Sequence, residues 1–150
     1  MSQDYSFVAD AMKQGVPWAS TAGIEFIEVT GDRVVVGLPD RAEFHNHVGG
    51  PHAAMTFGLG ETASGAVVLA AFSQHMAKAT PLVARAEIAY KKVATGVLRA
   101  EAVLGRPVAD VVAELDTGTR PEFPVNVTLT NAEGVTTAEM VVTWTLRINR

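Results

Sequence analysis

Apolar and polar positions alternate with different periods along the chain, and one stretch has no period at all. From Ala53 to Phe72 every face of a helical wheel carries apolar or small residues, and the only charged side chain is Glu61. A helix that is hydrophobic all round is a buried one. Gly, Thr, Ser and Glu interrupt it too often for a membrane span, so no membrane partner is expected. Pro51 is a favoured first helical position and Gly50 before it a permissive cap, so the helix is predicted to start at Pro51. Its end is placed near residues 74–78, before Pro81.

On either side the periods are clear. Phe7, Val8, Ala11 and Met12 recur at helical spacing, which predicts a short amphipathic helix over 4–14, ended by Gly15 and Pro17. Residues 24–29 and 33–38 are β-rich runs around Thr30-Gly31-Asp32, a hairpin signal. Residues 82–92 alternate, with Leu82, Ala84, Ala86, Ile88 and Tyr90 on one side. A second strand is predicted over 97–104, bounded by Gly96 and Gly105. Val108, Val111, Val112 and Leu115 then give a helical stripe between Pro107 and Gly118. Residues 123–130 and 136–148 form a closing hairpin around 131–134. Hairpin-linked strands with one central helix imply an antiparallel sheet covering a helix, the α+β class. Ala53, Ala54, Gly58, Gly60, Ala63, Gly65 and Ala66 keep that helix thin, so a curved sheet can approach closely.

The 150 residues contain no repeat, low-complexity tract or linker, and they read as one domain with residues 1–20 as an N-terminal helix and lead-in. Hydrophobic residues make up 48% and charged ones 19%, the balance of a well-packed globule or an obligate oligomer. A net charge of −4 argues against nucleic acid as a partner, because phosphate-backbone binding needs a basic surface. The absence of Cys excludes disulfides and thiolate metal sites. No basic-then-apolar start is visible, so a cytoplasmic location is the expectation.

Candidate chemistry gathers around residues 45–61. A helix start leaves backbone N–H groups unpaired and adds partial positive charge, which can polarise a carbonyl in acyl transfer. His52 and Ala53 fall in that first turn. Glu61 needs a reason, since a desolvated carboxylate is costly; the plain alternative is a structural carboxylate held by Thr56, Thr62 or Ser64. It lies about 80° round and roughly 12 Å along the helix from Ala53, a gap that favours a site shared across a dimer interface. His45, His47 and His52 form only a weak metal pattern, and no metal is expected. Asn46 has a structural alternative as a loop-holding side chain. Lys91, Lys92, Arg99 and Arg106 are candidates for meeting phosphates, or else solvated strand ends.

Asn46, His52-Ala53-Ala54 and Leu59-Gly60-Glu61 resemble the Asn…His-Gly-Gly…Leu-Ala-Asp pattern of hotdog-fold acyl-CoA thioesterases of the phenylacetic-acid-pathway type, with matching spacing. Residues 90–96 and 143–147 look like an uncharacterised hotdog branch in which Glu replaces the Asp. The resemblance implies a hotdog fold and hydrolysis of an acyl-CoA thioester without a cofactor. It implies a homodimer or dimer of dimers. Glu61 would be the general base or nucleophile, the Ala53 amide the carbonyl-polarising donor, and Asn46 and His52 further catalytic groups. His47, Gly50, Phe57 and Ser64 would contact substrate. Ala53-Ala54 departs from the family's Gly-Gly and narrows the approach to the amide. Two rivals stand beside this expectation. One is a 3-hydroxyacyl-thioester dehydratase, since His47 precedes Glu61 by fourteen positions. The other is a non-catalytic acyl-CoA-binding domain.

Overall fold

The computed structural model describes residues 3–150. The element order begins with α1 (Phe7–Gly15) and α2 (Pro17–Thr21). α2 was not expected: Pro17 was read as a terminator, yet it takes the first position of a new helix, where its missing N–H costs nothing. The hairpin follows as β1 (Glu25–Val29) and β2 (Arg33–Leu38).

Next comes the central helix α3 (Ala53–Phe72), starting two residues later than Pro51. Pro51 instead sits in an isolated antiparallel bridge with His45, and His52 caps the helix with its side chain. A short 3₁₀ turn extends α3 to His75. β3 (Ala79–Tyr90) then starts earlier than expected and contains Pro81. Pro is tolerated there because β3 lies at the sheet's edge. β4 (Leu98–Leu104), α4 (Val108–Asp116), β5 (Glu122–Thr130) and β6 (Thr136–Ile148) complete the order.

The six strands form one antiparallel sheet in the order β1-β2-β4-β5-β6-β3. Alternate residues of the inner strands point at α3: Val125, Val127 and Leu129 of β5, and Ala138, Met140 and Val142 of β6, are all buried. From the helix, Leu59, Ala63, Ala66 and Val67 are fully buried against them. The thin-helix expectation is visible at Gly60, where an added Cβ would come within 2.7 Å of Met140 Sδ. Phe72 and Phe123, both fully buried, close the far end with ring centroids 5.1 Å apart. Truncating either would cost about 3–5 kcal/mol. By length and composition Ala53–His75 could cross a membrane, but 61% of its most apolar window is buried inside the fold. Over that buried share the sheet meets its apolar surface.

Candidate active site

Residues 44–52 wrap tightly before α3, and the wrapping accounts for most of the polar groups around the helix start. Asn46 N–H donates to Gly50 O at 2.8 Å, and His52 N–H to Phe44 O at 2.7 Å. Asn46 Oδ1 accepts from Val48 N–H at 3.0 Å and from Gly50 N–H at 3.4 Å. The Asn46 carbonyl oxygen is therefore occupied in holding the loop. His45 is engaged with Asp40 (Nε2···Oδ1 2.6 Å), and His47 is exposed. The three histidines thus face three different tasks. Among the described residues no group of three His, Asp or Glu side chains converges.

His52 organises the first turn of α3. Its Nδ1 accepts from Ala54 N–H at 2.9 Å, so that nitrogen is unprotonated in this arrangement. Its carbonyl accepts from Met55 N–H (2.8 Å) and Thr56 N–H (3.1 Å). Of the four leading amides, Ala53 N–H alone has no acceptor among the described residues. Ala53 and Ala54 are both exposed.

That free amide borders a cavity of about 360 Å³. Asn46, Pro51, Ala53 and Thr56 line one side, and Tyr90 with residues 91–94 the other. Lys91 and Lys92 therefore belong to the site region; Arg99 and Arg106 do not line it. Arg106 pairs with Glu114 and with Glu122 O. Lys91 Nζ lies 3.5 Å from Glu139, while Lys92 has no ion pair among the described residues. Tyr90 Oη donates to Ala53 O at 3.0 Å, and burial pushes the phenol's pKa up. Tyr90 went unnoticed as a site residue, although it is the last of the inward-alternating positions of its strand and so the one that reaches the helix start.

Glu61 is elsewhere. It is half-buried, its carboxylate has no hydrogen bond or ion pair among the described residues, and burial raises its pKa from the ordinary carboxylate value. It does not line the cavity. Neither Thr56 nor Thr62 holds its carboxylate. Ser64, expected to touch substrate, is fully buried: its hydroxyl donates to Glu61 O at 2.7 Å and accepts from Trp144 Nε1–H at 2.9 Å. Both contacts are internal, so Ser64 fixes the turn that carries Glu61. Gly50, also expected at the substrate, is buried under the Ala94 carbonyl, where an added Cβ would come within 1.9 Å. Phe57 is half-buried and packs on the core.

Solved structures share this architecture. A Pseudomonas aeruginosa protein of unknown function, described as a "probable thioesterase", superposes with a TM-score of 0.85 over 99% of this chain and 99% of its own, at 23% identity. The PaaI protein of the Escherichia coli phenylacetic acid degradation operon gives 0.76 over 97% and 94%, at 18% identity. A thioesterase family protein from Silicibacter pomeroyi gives 0.76 over 97% and 100%, at 16% identity. No curated protein matches the sequence. A six-stranded antiparallel sheet packed around one long helix, shared with these structures, is the hotdog fold. Within it, the chain belongs to the family described as domain of unknown function DUF4442, which matches residues 6–146.

Proposed function

We propose that this protein is an acyl-CoA thioesterase whose active site is completed by a second copy of the chain. The observation that carries the proposal is the split between donor and base. The cavity holds an unpaired helix-start amide at Ala53 and, as its only charged side chains, Lys91 and Lys92. The one unpartnered, desolvated carboxylate of α3, Glu61, lies about two turns further on and outside the cavity. Within one chain, base and oxyanion donor do not meet. β3 leaves one edge free along twelve residues, a ready surface for a second copy. Thioesterases among the structural relatives support the reaction class.

In this mechanism the thioester carbonyl points at Ala53 N–H, with the α3 dipole reinforcing the donor. Glu61 of the other protomer removes a proton from water, whose oxygen attacks the carbonyl carbon; direct attack by the carboxylate is the alternative route. The carbonyl electrons move to oxygen, where the amide stabilises them, and collapse of the tetrahedral intermediate expels the thiolate.

Mixed dimers test the shared site. Ala53→Pro deletes the donor while keeping the helix: Pro suits the first helical position, and His52 already has φ −56° and ψ 144°, the conformation Pro demands before it. Glu61→Gln deletes the base. Each variant alone should release thiol from acyl-CoA esters at about a hundredth of the parental rate or less. Mixed and re-equilibrated one to one, the pair should recover about a quarter of parental activity, because half the dimers then carry one intact site. No recovery from two folded, dimeric variants would place both groups in one subunit's site.

A further inference from the structure

Beyond Tyr90 the chain leaves the ladder: Lys91 N–H (2.8 Å) and Lys92 N–H (3.1 Å) both donate to Thr137 O, and residues 91–94 become the cavity wall. Two contacts clamp this wall to the segment that bears the Ala53 amide. One is the close backbone approach of Ala94 to Gly50. The other is the Tyr90 phenol, whose O–H reaches the Ala53 carbonyl at 3.0 Å. That carbonyl also takes the helical N–H of Phe57, and its two lone pairs accommodate both donors. The residue that offers the free N–H is therefore gripped by its own C=O from across the cavity. A phenol with two torsions is a stiff strut, held at its base by Tyr90's ladder pairing with Ala138.

We propose that Tyr90 is a positioning residue that sets the first turn of α3, and with it the Ala53 amide, against the cavity. It acts through the Ala53 peptide and not by touching the reacting thioester. Its kinetic consequence rests on the thioesterase function proposed above; its structural consequence does not. Misplacing a catalytic group by a fraction of an ångström is expensive in turnover, whereas substrate affinity made elsewhere in the cavity is untouched.

Tyr90→Phe keeps the ring and removes the donor. Hydrogen exchange at the amides of residues 54–57 should speed up in this variant, while circular dichroism stays that of the parent and the melting temperature falls by no more than about 2–4 °C. On an acyl-CoA ester kcat should fall about three- to tenfold, the value of one net hydrogen bond, with KM within about twofold. Unchanged exchange at 54–57 overturns the proposal whatever the kinetics. In an active parent, unchanged kcat or a rise in KM alone also overturns it, the latter marking Tyr90 as a substrate contact. A parent that releases no thiol sinks the thioesterase function alone, and exchange still decides on Tyr90.

Discussion

At the first turn of α3, the carbonyl and imidazole of His52 take three of the four leading amides, Asn46 ties the preceding loop, and Tyr90 grips Ala53 from the opposite wall. Two turns on, the Glu61 carbonyl accepts from Ser64, whose hydroxyl in turn accepts from Trp144, and the Glu61 carboxylate has no partner among the described residues. The first region is finished by residues within one chain. The second is a charged group positioned with care and left without a counterpart. Under the proposed shared site, such a contrast along a single helix would separate what one subunit completes for itself from what it offers to a second copy.

The largest expected effect comes from breaking the second region. Glu61→Gln should lower thioester hydrolysis by about two orders of magnitude or more, the value of a positioned base. Stability should move the other way. Burial raises the folded-state pKa of Glu61, so its contribution to stability is full below the unfolded pKa and is lost as pH rises through the folded value. The amide mimics the neutral form, so this variant should melt above the parent at pH 7 and lose that advantage in acid. If Glu61 is the base of the proposed reaction, the parent's kcat should rise with pH, with its inflection shifted upward from the ordinary carboxylate value. A melting point for Glu61→Gln below the parent's would mean that the carboxylate has a stabilising partner.

Two smaller effects probe the first region. Gly50→Ala puts a methyl carbon into the Ala94 carbonyl, so backbone must shift; a loss of about 1–3 kcal/mol in denaturant unfolding follows. His52→Ala removes the cap on Ala54 N–H and should cost about 1 kcal/mol, or roughly 2–4 °C in Tm. Hydrolysis should weaken more in His52→Ala than in His47→Ala, because the His52 imidazole holds Ala54 N–H next to the Ala53 amide. Loss of water elimination from a 3-hydroxyacyl thioester in His47→Ala, with no hydrolysis in the parent, would favour the dehydratase instead.

How far the amino-acid order foretold these regions depends on the reach of each contact. The β1–β2 hairpin, the α4 stripe and the all-round apolar α3 carry their signals within a dozen or so residues, and all are present as expected. Errors fell where one residue type has two local uses. Pro17 starts a helix instead of stopping one, and Pro51 makes a bridge instead of a first turn, leaving the cap to His52. Ser64 illustrates a longer-range failure: the resemblance implies a substrate contact, but Trp144, eighty residues away, claims its hydroxyl. Tyr90 met Ala53 across 37 residues, and the outward bend of residues 91–94 that makes a wall depends on Thr137. No periodicity encodes a bend of that kind.

The all-round apolar character of α3 also has a consequence for biosynthesis. The helix is complete at Phe72, yet the strands that sheathe it run on to Ile148. At cellular elongation rates of ~5–20 residues per second, a nascent chain carries that segment without β4, β5 and β6, and so only partly covered, for about 4–15 s. During that interval the faces that β4, β5 and β6 later cover remain open, the kind of transient apolar surface that favours aggregation. Substitutions that slow the docking of β5 and β6 are therefore felt first in soluble yield, before any change in the stability of the finished domain can be measured.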